Sequence, residues 1–303
     1  MAWGRSTTSA SESWTHCRAE LAFRQRRGIE IKSEIQIGAM RSAGLVVAAA
    51  LVEIAAAASP GVTTLDLDAI ARECLQRHGA TSSFLGYAYP PFPAVICASV
   101  NDEVVHGIPG PRRLVDGDLL SVDFGAILAG WHGDAAVTIQ VGSVRADRAQ
   151  LSDVTSDALW AGLAAAVPGA RLSDISHAVE ASIRSSERPD GGEWGILREY
   201  GGHGIGTQMH MDPHVLNFGR PGQGPRLVPG MALAIEPMVT LGSQEVLVAT
   251  DEWTVLTVDG SASAHWEHTV AITEDGPWVL TALDGGAERF DAMGVRHAAD
   301  SGR

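Results

Sequence analysis

Apolar positions recur at helical spacing from Ser33 to Ala58, and the run stops at Pro60-Gly61. Asp66-Leu67 then opens a second helical stretch that reaches about His78. The same order returns later: a helical run from Asp147 to Val167, a stop at Pro168-Gly169, and a second helix from Asp174-Ile175 to about Ser185. In both places the aspartate lies six residues after the proline, as an N-cap or first-turn acid, and the copies are 108 residues apart. Strand-like segments follow each helical pair: Ala94–Asn101, Leu119–Ile127 and Trp131–Val141, then Met231–Glu236, Met238–Thr240, Glu252–Val258 and Ala264–Thr273. Ile127-Leu128-Ala129-Gly130 reads as a hairpin connection. The pattern predicts an α+β fold with antiparallel strands and helices on one face. Two similar halves would meet in a cleft on a pseudo-twofold axis.

The ends differ from this body. Residues 1–28 are rich in Ser, Thr and Arg and read as a flexible N-terminal extension, while 284–303 read as a flexible C-terminal tail, leaving 29–283 as one domain.

Composition narrows the function. The 303-residue chain is 45% hydrophobic, enough for a sizeable core, and its formal charge of −14 argues against a DNA-binding surface. Cys17, Cys74 and Cys97 are odd in number and form no CxxC pair, which fits a reducing cytoplasm. The most apolar run, Ala43–Ala58, is interrupted by Glu53 and is short for a membrane span, so a buried helix is expected. No apolar stretch sits directly behind a basic one at the N-terminus, and no secretory signal is expected.

The chemistry centres on five side chains at strands or strand ends: Asp123, Asp134, His203, Glu236 and Glu267. Four carboxylates and one imidazole cannot gather without cations, and hard oxygen donors plus one nitrogen suit a pair of divalent ions sharing bridging carboxylates. Strand alternation sets Asp123 on the face opposite Val122 and Phe124. Asp134 follows eleven residues later across the hairpin, although two surface aspartates would read the same way. His203 stands among four glycines in Tyr200-Gly201-Gly202-His203-Gly204-Ile205-Gly206. Glu236 ends an apolar strand, and Glu267 repeats that theme within another, so each acid must be paired, protonated or ligated. For His210 and His214, spacing alone does not separate ligand from proton donor. His106 is a loop histidine near a Pro-Gly turn, and His132 is either an orienting neighbour of Asp134 or simply exposed. No GxSxG, Walker or HExxH string occurs.

Taken together, these strings resemble the type I methionine aminopeptidases from about Ile29 to Ala282. The resemblance rests on Ser99-Val100-Asn101 with His106-Gly107-Ile108-Pro109, on Asp123 with Trp131-His132-Gly133-Asp134, on Gly202-His203-Gly204-Ile205-Gly206, on Ile235-Glu236-Pro237 and on Glu267-His268-Thr269. It implies the pita-bread fold, whose two related halves share a curved antiparallel sheet covered by helices on its outer face. It implies two divalent ions, with Co, Mn, Fe and Zn all admissible: Asp123 on one, His203 and Glu236 on the other, Asp134 and Glu267 bridging. An activated water would attack the first peptide bond, with Glu236 moving the proton and His106 and His210 contacting substrate and stabilising the oxyanion. Phe84, Tyr87, Cys97 and Trp253 map to the methionine pocket. Phe84 departs from a cysteine in some relatives, and Met209 from a common phenylalanine beside His210. The implied substrates are nascent chains that begin with Met and a small residue. The ribosome is a candidate partner through the extension and its Arg24–Arg27 patch, and a monomer is the simplest state. Two alternatives share the fold. Xaa-Pro peptidases usually carry a further N-terminal domain, which 28 such residues cannot supply. A non-catalytic ribosome-associated homologue would lose ligands that this chain keeps. The 31-residue interval between Glu236 and Glu267 leaves no room for the helical insert of the type II enzymes.

Overall fold

The computed structural model describes residues 28–188 and 190–298. Residues 1–27, nearly all of the expected extension, lie outside that range, as does Cys17. Helix α1 (Glu34–Ala57) starts at Ser33, whose hydroxyl accepts the Gln36 backbone N–H while the Gln36 side chain accepts that of Ser33. Helix α2 (Thr64–His78) begins with the same reciprocal cap from Thr63 and Asp66, so the aspartate is a first-turn acid and Thr63 is the cap. Strands β1 (Thr81–Ser82), β2 (Ile96–Val100), β3 (Glu103–Val105), β4 (Leu119–Leu128) and β5 (Trp131–Gln140) follow. Ala129 and Gly130 join β4 to β5 with φ of 51° and 82°, the left-handed pair that matches hairpin twist. Helix α3 (Ala146–Ala165) and helix α4 (Leu172–Ser185) repeat the first pair, with Asp174 accepting the Arg171 N–H at 2.7 Å.

The second half continues through β6 (Gly195–Ile196), β7 (Gly202–Gly204), β8 (Met211–Val215), β9 (Ala232–Ile235) and β10 (Met238–Thr240). It ends in β11 (Val246–Val248), β12 (Val255–Thr257), β13 (Ser263–His265), β14 (Glu267–Thr273), β15 (Gly276–Val279) and helix α5 (Ala287–Met293). Nine strands form the main sheet, in the order β1-β4-β5-β14-β9-β7-β8, with β2 also on β4 and β15 on β14. Two three-stranded sheets, β13-β10-β6 and β11-β12-β3, flank it. The strand expected from Ala264 to Thr273 is divided at Trp266, because its first part pairs with β10 and its second with β9.

Two apolar cores lie under the two helical pairs. One joins Val47, Leu51 and Ile54 of α1 to Val122 and Phe124 of β4. The other joins Leu159 and Leu163 of α3 to Ile175 and Val179 of α4 and Ile235 of β9. This is the expected pita-bread arrangement: an antiparallel sheet with helices packed against it in two similar halves. Helix α1 is long and apolar enough to cross a membrane by length and composition, yet just over half of its most apolar window (56%) is buried within the protein.

One expectation fails. The chain after Asp284 is not a loose tail through residue 298, since α5 buries Phe290 completely and sets its ring 5.5 Å from Trp160. A single deeply buried aromatic in a polar segment gives no periodic signal. Buried Arg41 secures the approach to α5, donating to the carbonyls of Leu280 at 2.9 Å, of Leu283 at 2.8 Å and of Ala282.

Helix α1 crosses the sheet at a glycine contact. A Cβ on Gly44 would lie 2.1 Å from Leu280 O, and one on Gly133 would lie 2.8 Å from Gly44 N. Gly38, on the exposed side of the same helix, has nothing within 4 Å of its Cβ position. Gly38→Ala is therefore expected to stabilise the protein by about 0.5–1 kcal/mol through helix propensity. Gly44→Ala should destabilise it by roughly 2 kcal/mol or more through overpacking. Urea denaturation of both variants tests the contact, and equal effects from the two would refute it.

Candidate metal centre

The main sheet places one candidate ligand on each of five neighbouring strands. Asp123 is on β4, Asp134 on β5, Glu267 at the start of β14, Glu236 directly after β9 and His203 on β7. Register carries them to one face. Gly125 pairs with Asp134 and Asp123 with Ala136, so the two aspartates are diagonal neighbours across the β4–β5 hairpin. Thr269 fixes Asp134 by accepting its N–H at 3.1 Å and donating to its carbonyl at 2.8 Å.

Glu236 and Glu267 stand in register opposite each other. His268 pairs with Ile235 on one side of them and His265 with Met238 on the other, so the two ladders share one register across the Glu236-Pro237 and Trp266-Glu267 step. Pro237 has no N–H to continue the ladder, and its carbonyl accepts from Trp266 N at 3.4 Å. Like charges directly opposite on paired strands repel. The sheet thus builds a site whose own geometry calls for a cation.

His203 sits between glycines for a steric reason. A Cβ on Gly202 would lie 2.2 Å from Ala234 O, and one on Gly204 would lie 2.1 Å from Asp212 O. Its Nδ1 donates to Gly204 O at 2.9 Å, which leaves the Nε2 lone pair facing Glu236 Oε1 at 3.6 Å and Asp134 Oδ2 at 3.9 Å. Burial holds His203 down at about 4, so these contacts are not ion pairs near neutral pH.

The acids respond in the opposite direction. Burial pushes Asp134 up to about 7. Asp123 is driven well above the usual carboxylate range by burial and then by Asp134 and Glu236. Glu236 rises through burial and Asp134, and Glu267 through burial and the other three acids. Asp123 Oδ1, Asp134 Oδ1, Glu267 Oε1 and His265 Nε2 are buried without a hydrogen-bond partner, four of the six such side-chain atoms among the described residues. Donor atoms of Asp134, His203 and Glu267 lie within 4.8 Å of one another, as do those of Glu236, His265 and Glu267. Oxygen-rich donors with orphaned lone pairs converging on one point fit divalent cations.

The remaining candidates surround this cluster. The His210 ring lies 4.4 Å from that of His203, and its Nδ1 is hydrogen-bonded to the Tyr87 hydroxyl at 2.6 Å. Tyr87 and His210 also line a cavity of about 260 Å³ with Ser83, His132, Thr207 and Met209. In that cavity wall His132 Nδ1 is hydrogen-bonded to Ser83 Oγ at 2.9 Å, so it is neither simply exposed nor bonded to Asp134. His106 adopts φ 61° and packs edge-on against Trp253 at 6.0 Å and Tyr200 at 5.7 Å. Phe84, Cys97 and Met209 form one apolar cluster with Phe92 and the partly buried Trp253. Cys97 pairs with Asp123 across β2 and β4, and burial with three nearby acids keeps its thiol protonated. His214 pairs with His203 across β7 and β8, outside both donor groups.

Sequence reasoning missed two residues here. Phe92 lies between prolines and carries no pattern, yet it touches both Phe84 and Trp253. His265 stands two positions before Glu267, and strand alternation was the signal that could have found it.

Known proteins share both the sequence pattern and the fold. Residues 38–274 match metallopeptidase family M24. The chain is 54% identical over 260 residues to methionine aminopeptidase 1 of Mycobacterium tuberculosis, covering 86% of this chain and 97% of that protein. It is 48% identical over 252 residues to methionine aminopeptidase 1 of Bacillus subtilis, covering 83% and 98%. The crystal structure of methionine aminopeptidase from Thermotoga maritima superposes with a TM-score of 0.80 at 41% identity, covering 84% of this chain and all of that one. The chain belongs to metallopeptidase family M24, among its methionine aminopeptidases.

Proposed function

We propose that this chain removes the initiator methionine from nascent proteins whose second residue is small, using two divalent ions held by Asp123, Asp134, His203, Glu236 and Glu267. The observation that carries the reading is the set of five adjacent strands that deliver four acids, Asp134 and Glu267 buried and Asp123 and Glu236 partly so, and a neutral imidazole to one point. Asp134 and Glu267, each with an orphaned oxygen and carried on adjacent inner strands of the five, would be shared between the two ions. Divalent ions bound there lower the pKa of a coordinated water and polarise the scissile carbonyl. Co, Mn, Fe and Zn all suit such a donor set, and availability selects among them.

The protein's own groups supply the rest. Glu236, whose side chain retains 15% exposure against 2% for Glu267, faces the cleft and is the group that takes the water proton and passes it to the leaving amine. His210, held by Tyr87, and His106, wedged between Trp253 and Tyr200, present imidazole nitrogens to the substrate carbonyl. Phe84, Cys97 and Trp253, joined by Phe92 and Met209, form a soft apolar wall for a thioether, with Tyr87 at its rim. This activity places the enzyme in the cytoplasm, where nascent N-termini emerge. We also infer that residues 29–283, together with the packed α5, form the catalytic unit.

Asp134→Ala is expected to abolish both metal loading and cleavage of a Met-Ala-starting peptide, read by metal analysis and peptide assay. Unchanged turnover would refute the site. His210→Ala should lower kcat by about 10²-fold with metal content retained, and Tyr87→Phe by a smaller factor. Steady-state kinetics with parallel metal analysis checks the order.

The acids also set a pH dependence. Their folded-state values are raised, so without metal the folded protein binds more protons than the unfolded chain and loses stability as pH rises. Below about pH 6.5 the buried neutral His203, His265 and His268 oppose this trend, since their folded values are depressed. Between pH 6.5 and about 8 the acids dominate. The Tm of chelator-treated protein should therefore fall across that window, and a divalent ion should reverse the fall. A Tm that climbs there without metal would contradict the raised acids.

A further inference from the structure

His265 has no part in the five-residue ligand set, yet it is 98% buried, and its Nε2 has no hydrogen-bond partner. It reaches the site from β13, in a flanking sheet, while all five other donors come from the main sheet. Its backbone is fixed: the N–H lies 3.0 Å from Thr138 Oγ1, which donates to the His265 carbonyl at 2.8 Å. Nε2 lies 3.7 Å from Glu236 Oε2 and 3.9 Å from Glu267 Oε2. These separations are too long for hydrogen bonds. They nearly equal those of His203 Nε2, at 3.6 Å from Glu236 Oε1 and 3.9 Å from Asp134. Glu236 is thus flanked by two imidazoles, one on each oxygen. Two donors of one ion, each about 2.1 Å from it, stand roughly 3–4 Å apart.

We propose that His265 is a sixth donor, so that the centre binds its metal with two imidazole nitrogens instead of one. An imidazole binds a metal through one ring nitrogen, and Nε2, buried without a partner and facing both glutamates, is the nitrogen placed to do so. Glu236, His265 and Glu267 then form a second triad beside Asp134, His203 and Glu267, with Glu267 common to both. An added nitrogen favours later first-row ions such as Co and Zn over Mn, because affinity for Mn gains least from replacing oxygen by imidazole.

The inference rests on the reading of this cluster as a metal centre, and the test separates the two. Full-length protein is labelled with ¹⁵N-histidine, given manganese at one and then two equivalents, and examined by pulsed EPR, which counts imidazole nitrogens coupled to the ion. Two coupled imidazoles in wild-type protein, with one lost in His265→Gln and the other in His203→Gln, is the expected result. His265→Gln should also weaken Co binding by about tenfold or more while changing Mn binding less, measured by competition titration. A single imidazole at both loadings, lost only in His203→Gln, overturns the sixth donor and leaves the metal centre standing. Protein that takes up no ion overturns both. The wild-type nitrogen count is decisive by itself should His265→Gln fail to fold.

Discussion

Repulsion among four clustered carboxylates, two buried and two partly so, is the constraint around which this fold is arranged. Asp123, Asp134, Glu236 and Glu267 are each driven toward protonation by burial, and three of them further by one another. Nothing in the local secondary structure relieves this, since the shared register of the two ladders sets Glu236 opposite Glu267. A buried charge left unpaired costs several kcal/mol, so in ionised form the arrangement requires a cation, and without one the acids hold protons instead. Stability and function are therefore coupled at one point: the contacts that would hold a metal are the ones that are unfavourable without it.

The surroundings explain how the chain tolerates this. Each acid or imidazole rides on a strand whose backbone is fixed independently of the site. Thr269 ties Asp134 to β14, and Asn217 donates to the Glu236 carbonyl at 3.0 Å. The two helical cores lock the sheet from the outer side, and the Gly44–Gly133 contact seats α1 directly behind the residue that precedes Asp134. Preorganisation of this kind holds the acids together against their mutual repulsion, because the strands that carry them cannot move apart without breaking ladder hydrogen bonds.

Much of this was legible in the sequence because it is local. Caps at Ser33 and Thr63, the Ala129-Gly130 turn and the repeated Pro-Gly stops are short-range signals, and the helices begin and end within a few residues of where these place them. The five candidate ligands stood out as lone acids in apolar strands and a histidine among glycines. What escaped depends on distant partners. The break at Trp266 exists because β13 and β14 pair with different strands, and Phe290 is buried because distant residues such as Trp160 pack around it. Short strands such as β7 and β8 carry too few residues for alternation to register, and β7 is almost wholly glycine.

His265 shows where the two kinds of information meet. Alternation alone places it on the face of Glu267. A histidine two residues from a candidate ligand still reads as an ordinary polar neighbour until β10 is known to pair with β13. That pairing carries the imidazole from the flanking sheet to the far oxygen of Glu236, the side that His203 does not reach. A donor set read from the main sheet by itself therefore ends one nitrogen short, and the same step at Pro237 and Trp266 that divides the ladder between β9–β14 and β10–β13 is what lets a second sheet contribute to the site.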